Sequence, residues 1–329
     1  MNAAAARPQA RILFVDDEQR VLTSMRAMFR RDYEVHLADS GAMALDILRR
    51  KAIDVVVSDQ RMPEMTGVEV LREARDIAPA TMRILLTGYA DLGAIEDAIN
   101  ESEVFRYLMK PCAREQLRDT LALAVAAVRA GGGPVAPDPG ALPRTAPAPE
   151  RRGGDDARAP GVELLVLSAD DGLFDGVRDA VHGDRTVRRA HTTQEALAML
   201  TARPVGVLIT DAGLDEAAME LLIGELKRVV PELVTVVASE RSDAHMMINL
   251  INHGQVFRFL LKPLSIGQCR IWLSSAVSRH LELLQRPDAV SRYRVAERPE
   301  VVAANRSLVD SVIAGARALR GRWLGRVRA

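Results

Sequence analysis

The sequence predicts an α/β fold: two domains, each a parallel five-stranded sheet with helices on both faces, followed by a helical tail. Two observations carry this. From residue 11 to residue 130, short β-runs alternate with amphipathic helical stretches, as expected of parallel strands joined by helical crossovers. The pattern then restarts after residue 161. Adding 152 to a position in the first half lands on its counterpart in the second, without a gap from Ile12 to about Val128.

In chain order, residues 1–10 offer no apolar run and are expected to be disordered. Strands are expected at Ile12–Val15, Val55–Ser58, Ile84–Leu86 and Val104–Met109. The stretch Gln19–Phe29 places Val21, Leu22, Met25, Met28 and Phe29 on one helical face, and Gly41–Arg50 does so with Ala44, Leu45 and Leu48. Pro63 and Gly67 punctuate a loop before helical spacing resumes at Val68–Ile77. Residues 131–161 hold seven Gly, seven Pro and six Ala, too little apolar bulk for a core, and read as a linker. The Gly153–Asp156 run (GGDD) inside it is read as a chance feature of that composition. Residues 162–285 form the second domain and 286–329 the tail.

Bulk properties narrow the function. The 44 basic and 44 acidic residues cancel, so net charge argues for neither nucleic acid nor a membrane surface. Two cysteines, Cys112 and Cys269, give no disulfide framework and suit a reducing compartment. No segment approaches 18 uninterrupted apolar residues, so a cytoplasmic protein without a membrane span is expected. No Walker-type glycine loop, nucleophile elbow or zinc-ligand cluster is present, and the six histidines are scattered.

The chemistry gathers at strand ends. Asp16 and Asp17, Asp59, Thr87 and Lys110 each follow a predicted strand of the first domain. The carboxyl ends of parallel strands converge on one edge of such a sheet, so these residues can share a pocket. Three neighbouring carboxylates repel one another and need a cation or protons. Their oxygen donors suit Mg²⁺. A lysine ammonium and a threonine hydroxyl beside them suit phosphoryl oxygens, so the set looks built to place a phosphoryl group on a carboxylate.

Four segments, Phe14–Glu18 (FVDDE), Val56–Gly67 (VVSDQRMPEMTG), Leu85–Asp91 (LLTGYAD) and Phe105–Pro111 (FRYLMKP), in that order and spacing, resemble the receiver domain of two-component response regulators. The resemblance covers nearly all of the first 130 residues. It implies a flavodoxin-like fold with strand order 2-1-3-4-5. It also implies Asp59 as phosphoacceptor, with Mg²⁺ held by Asp16, Asp17, Asp59 and the backbone carbonyl of Arg61. Lys110 would pair with the phosphoryl group, Thr87 would be the switch hydroxyl, and Tyr107 the aromatic that changes rotamer. A cis Lys110–Pro111 bond is a further expectation. A sensor histidine kinase is the implied phosphodonor.

In the second domain Asp59 maps to Asp211, Thr87 to Ser239, and VFRYLMKP to VFRFLLKP (Val256–Pro263), with roughly a fifth of positions identical. Asp16 and Asp17 map instead to Ser168 and Ala169, and Pro63 and Gly67 to Asp215 and Met219. Asp170 and Asp171 come one or two positions later, a displacement that octahedral Mg²⁺ tolerates poorly. Asp211, Ser239 and Lys262 therefore read as the remnant of a site in a degenerate receiver.

The tail carries ten arginines, no lysine and four acids, a balance of +6 against −6 for the remainder. A helix within 301–327 would set Leu308, Val312, Leu319 and Trp323 near one stripe. It can dock on its own second domain or a twin subunit, serve a partner protein, or contact an anionic polymer or membrane. The first is favoured. With no helix-turn-helix and some 44 residues, DNA binding is the least favoured. The expected protein is a response regulator without a conventional output domain or enzymatic site of its own. It would signal through a downstream protein partner or self-association; the alternatives are a transcriptional regulator that binds DNA through the tail, or an unphosphorylated scaffold.

Overall fold

The computed structural model describes residues 9–88, 104–130, 162–181, 185–211, 216–240, 244–254 and 256–285. Near the C-terminus it describes 310, 312–314, 316–317 and 319–321. The expected linker with its GGDD run, most of the stretch between the fourth and fifth strands, Asp91, Leu308 and Trp323 lie outside the described residues. The chain divides into two compact units, Met1–Ala148 and Pro149–Ala329.

The first unit is a five-stranded parallel sheet in the order β2-β1-β3-β4-β5. Its strands are β1 (Arg11–Val15), β2 (Glu34–Ala38), β3 (Val55–Asp59), β4 (Met82–Thr87) and β5 (Arg106–Met109). The described helices are α1 (Gln19–Phe29), α2 (Gly41–Arg50), α3 (Gly67–Ile77) and α4 (Arg114–Ala130). β3 and β4 are buried at every residue, as expected of central strands covered on both faces. The expected faces of α1 and α2 hold: Leu22, Phe29, Ala44, Leu45 and Leu48 are buried, while Met25 and Met28 pack at the margin of the core. One expected boundary shifts. β5 begins at Arg106 rather than Val104, because Phe105 N–H bonds to the Arg83 carbonyl before the ladder proper starts.

Local chemistry sets the helix starts. Ser40 Oγ accepts from Met43 N–H ahead of α2. Thr66 and Glu69 form a reciprocal capping box ahead of α3. Gly67, the first residue of α3, has no substitute: a Cβ there would lie 2.1 Å from the Asp59 carbonyl oxygen. Just before it, Met65 N–H bonds to the Pro63 carbonyl at 2.7 Å, a three-residue turn centred on Glu64 at φ 66°. That left-handed conformation is uncommon for a non-glycine residue.

The second unit is also a five-stranded parallel sheet: β6 (Glu163–Leu167), β7 (Val187–Ala190), β8 (Val205–Asp211), β9 (Val234–Ser239) and β10 (Arg258–Leu261). Its order, β7-β6-β8-β9-β10, repeats that of the first. The helices are α5 (Asp171–Ala180), α6 (Thr193–Ala202), α7 (Glu216–Val229), α8 (Ala244–Gly254) and α9 (Ile266–Gln285). The described tail residues are helical, and Val312, Ala316 and Leu319, at i, i+4 and i+7, are fully buried in this unit's core. Arg320 reaches Glu232 at 3.5 Å. That end of the sheet also buries Lys227 and His280. Lys227 donates to the Pro231 and Leu233 carbonyls, and the His280 Nδ1 lies 2.7 Å from the Glu232 carbonyl.

Candidate functional site

The carboxyl edge of the first sheet gathers the expected residues. β1 delivers Asp16 and Asp17, β3 ends on Asp59, β4 on Thr87, and β5 runs into Lys110. Carboxylate oxygens of Asp16, Asp17 and Asp59 lie within 4.8 Å of one another. Asp16 and Asp59 are buried and Asp17 is exposed, so the cluster opens to solvent on one side. Lys110 Nζ sits 2.7 Å from Asp59 Oδ1 and 3.4 Å from Asp16 Oδ2.

Backbone bonds hold this arrangement. Lys110 N–H donates to the Thr87 carbonyl at 2.7 Å, coupling the ends of β4 and β5. Gln60 N–H donates to the Leu86 carbonyl, its own carbonyl accepts from Gly67 N–H, and its side-chain Oε1 accepts from Val68 N–H. The loop after Asp59 is thereby folded back on itself, with Arg61 on its exposed outer side. Gln60 was not singled out in the sequence; its position beside an acid gives no periodic or compositional signal. Thr87 is fully buried, and Tyr107 is buried as well. The Lys110–Pro111 bond is cis.

Electrostatics follow from this geometry. Burial pushes the Asp59 carboxyl above its ordinary value, with Asp16 adding to the shift and the hydrogen bond and charge of Lys110 opposing it. Burial alone would lower Lys110, but its hydrogen bonds and charges with Asp59 and Asp16 outweigh that and raise it. The ammonium therefore stays charged, while burial disfavours the ionised form of Asp59. An acidic, oxygen-only donor set of this kind fits Mg²⁺.

The second unit brings Asp211 and Lys262 together in the matching place, but the surroundings differ. Lys262 Nζ lies 2.5 Å from Asp211 Oδ2 and 2.6 Å from Asp170 Oδ2. Ser168 donates to Asp211 Oδ2 at 3.1 Å and accepts from Asp170 N–H at 2.9 Å. Ser239 is buried at the end of β9. Asp170 and Asp171, weighed in the sequence as displaced metal ligands, are otherwise engaged. Asp170 caps α5 through Gly172 N–H, and Asp171 pairs with Arg189. Arg189 also donates to the carbonyls of Ser168 and Ala169, which ties this loop to β7. That clamp was not legible in the sequence, where Arg189 is one charge in a strand. Among the described residues, Asp16, Asp17 and Asp59 are the group of acids placed to share a cation.

Comparisons with known proteins match the first unit. The family model for the response regulator receiver domain matches residues 12–122. Hydrogenase transcriptional regulatory protein HoxA of Cupriavidus necator is 38% identical over 119 residues, 36% of this chain and 25% of that protein. Transcriptional regulatory protein ZraR of Klebsiella oxytoca is 36% identical over 134 residues, 40% of this chain and 30% of that protein. The chain thus spans about a quarter to a third of the length of these curated relatives. Among solved structures, the signal receiver domain of an HD domain-containing protein from Pseudomonas fluorescens Pf-5 shares 34% identity. That match covers 39% of this chain and 96% of its own at a TM-score of 0.37. Among the described residues no helix is long and apolar enough to cross a membrane. Residues 12–122 are a response regulator receiver domain.

Proposed function

We propose that the chain is a response regulator in which Asp59 accepts a phosphoryl group from a histidine kinase and the second unit is a degenerate receiver. The observation that carries this is the Asp59–Lys110 pair set inside the Asp16, Asp17, Asp59 cluster. Asp16, Asp17, Asp59 and the Arg61 carbonyl would hold Mg²⁺, whose charge offsets the negative charge gathered in phosphoryl transfer. Lys110 would orient the phosphoryl group as a point charge, and the Thr87 hydroxyl would hydrogen-bond another of its oxygens. New negative charge at Asp59 draws on the same ammonium that now bridges Asp59 and Asp16. The Lys110 N–H to Thr87 bond passes that change to β4 and β5, where Tyr107 lies.

Support for the degenerate second receiver is the repeated strand order together with the Asp170–Lys262–Asp211–Ser168 network. There Lys262 and the Ser168 hydroxyl both engage Asp211, and Lys262 also reaches Asp170. In this reading the output is a protein–protein contact, and the chain has no enzymatic output of its own. DNA is the second reading, because the curated relatives carry the name of transcriptional regulatory proteins. The burial of Val312, Ala316 and Leu319 against the second unit favours a docked tail over a free basic arm. Beryllofluoride with Mg²⁺ tests the receiver chemistry: it should shift the Thr87 and Lys110 amide resonances in the wild type and leave them in place in Asp59→Asn. Identical shifts in both would refute the assignment.

A further inference from the structure

The second unit contains a cleft that the receiver chemistry does not use. It measures about 470 Å³ and is lined by Asp170, Gly172, Leu173 and Gly176 on one side and by Glu240 and Lys262–Leu264 on the other. That volume falls in the range of small-molecule sites.

Two features make it more than an accident of packing. Gly172 and Gly176 stand one turn apart in α5, where each glycine costs about 1 kcal/mol relative to alanine. Neither is required by a close approach. A Cβ on Gly176 would meet nothing within 4 Å, and one on Gly172 only Asp170 Oδ1 at 3.2 Å. At the matching positions the first unit carries Arg20 and Ser24, and opposite them Gly88 stands where the second unit has Glu240. The second unit has thus lost bulk from the wall and gained an acid at the rim.

The charges define what fits. Among the described residues, two carboxylates, Asp170 and Glu240, share the lining with one ammonium, Lys262. Lys262 is already engaged by Asp211 and Asp170, and its side chain is 12% exposed, whereas that of Asp170 is 39% exposed. The cleft therefore presents excess negative charge at one end and the apolar surface of Leu173, Pro263 and Leu264 along the rest. An anion would meet the carboxylates; an amphipathic cation complements both parts.

We propose that this cleft binds a small amphipathic cation. Its charged nitrogen sits between Asp170 and Glu240, and its apolar body lies along Leu173, Pro263 and Leu264 in the space left by Gly172 and Gly176. Such a ligand reaches the Asp170–Lys262 pair directly, so the second unit takes its input from binding rather than from a phosphoryl group. The site does not depend on Asp59 being phosphorylated.

The test is a titration of the ¹⁵N-labelled full-length protein with 4-phenylbutylamine and, separately, with the neutral 4-phenylbutanol, reading the Gly172, Gly176 and Leu264 amides. The amine should give saturable shifts at these three positions, and the alcohol should bind about tenfold more weakly or worse. Gly176→Leu, which fills the cleft at a position with room for a side chain, should abolish saturation while the Trp272 fluorescence melting curve stays intact. Glu240→Gln should weaken the amine and leave the alcohol unchanged. Equal affinity for amine and alcohol, saturation that survives in Gly176→Leu, or no shift with either compound would overturn the proposal.

Discussion

Lys110 Nζ lies 2.7 Å from Asp59 Oδ1, and in the second unit Lys262 Nζ lies 2.5 Å from Asp211 Oδ2. The two pairs are alike in place and unlike in company. Beside Lys110, carboxylate oxygens of Asp16, Asp17 and Asp59 lie within 4.8 Å of one another, whereas Lys262 bonds both Asp170 and Asp211 and Ser168 donates to Asp211.

The first expectation concerns metal stoichiometry. Mn²⁺, standing in for Mg²⁺, should bind at one site per chain by titration calorimetry. Asp17→Asn should remove most of that binding by taking away one of the three carboxylates, and Asp211→Asn should leave it unchanged. Two equivalent sites in the wild type would contradict the contrast between the two units.

Gly67 supplies a steric prediction. A Cβ at 2.1 Å from the Asp59 carbonyl oxygen forces the end of β3 or the start of α3 to move. Gly67→Ala should destabilise the first unit by about 2 kcal/mol or more, the range of overpacked and strained sites. Hydrogen-exchange protection of β3 reads this unit selectively, and unaltered protection would count against the packing described.

The tail provides a stability prediction. Leu319 is fully buried in the second unit's core. Leu319→Ala should lower that unit's unfolding free energy by about 2–5 kcal/mol, as for other buried leucines. Arg320→Ala should change it by less than about 1 kcal/mol, since the Arg320 side chain is 45% exposed. Both tryptophans, Trp272 and Trp323, belong to the second unit, so urea unfolding followed by tryptophan fluorescence isolates it. A Leu319→Ala value near zero would mean that the tail does not pack there in solution.

A pH dependence follows from His280. Burial holds this imidazole down to about 4 from an ordinary 6.5, with Lys227 adding to the shift and the Glu232 carbonyl opposing it. The unfolded chain then binds more protons than the folded one between those values. Stability of the second unit should rise by about 3 kcal/mol from pH 4 to pH 6.5 on this account. Lys227, pushed by burial from 10.5 to about 7, has the same sign and extends the rise above neutrality. Replacing His280 with Gln should flatten the acid limb of the fluorescence-detected unfolding curve and leave the alkaline limb in place.

The parts of this protein that could be read from the sequence are those that periodicity and strand ends dictate. The helix bounds Gln19–Phe29 and Gly41–Arg50, and the convergence of Asp16, Asp17, Asp59, Thr87 and Lys110, follow from alternating apolar runs in a parallel sheet. Contacts made by single side chains across packed elements leave no such trace. Arg189 clamping the Ser168–Asp171 loop, Gln60 tying the loop after Asp59, and Lys227 donating to two carbonyls beneath α7 depend on three-dimensional proximity alone. The tail's arginines stand out in the sequence, yet its apolar stripe does the docking and Arg320 adds one long ion pair at the rim.

The central claim is that one carboxylate of this chain, Asp59, takes a phosphoryl group. The most direct measurement is the intact mass of the full-length protein after incubation with Mg²⁺ and a small-molecule phosphodonor, with Asp59→Asn and Asp211→Asn in parallel. A single phosphoryl adduct on the wild type and on Asp211→Asn, with none on Asp59→Asn, is the predicted result. An adduct that persists on Asp59→Asn, or none on any folded form, would contradict it.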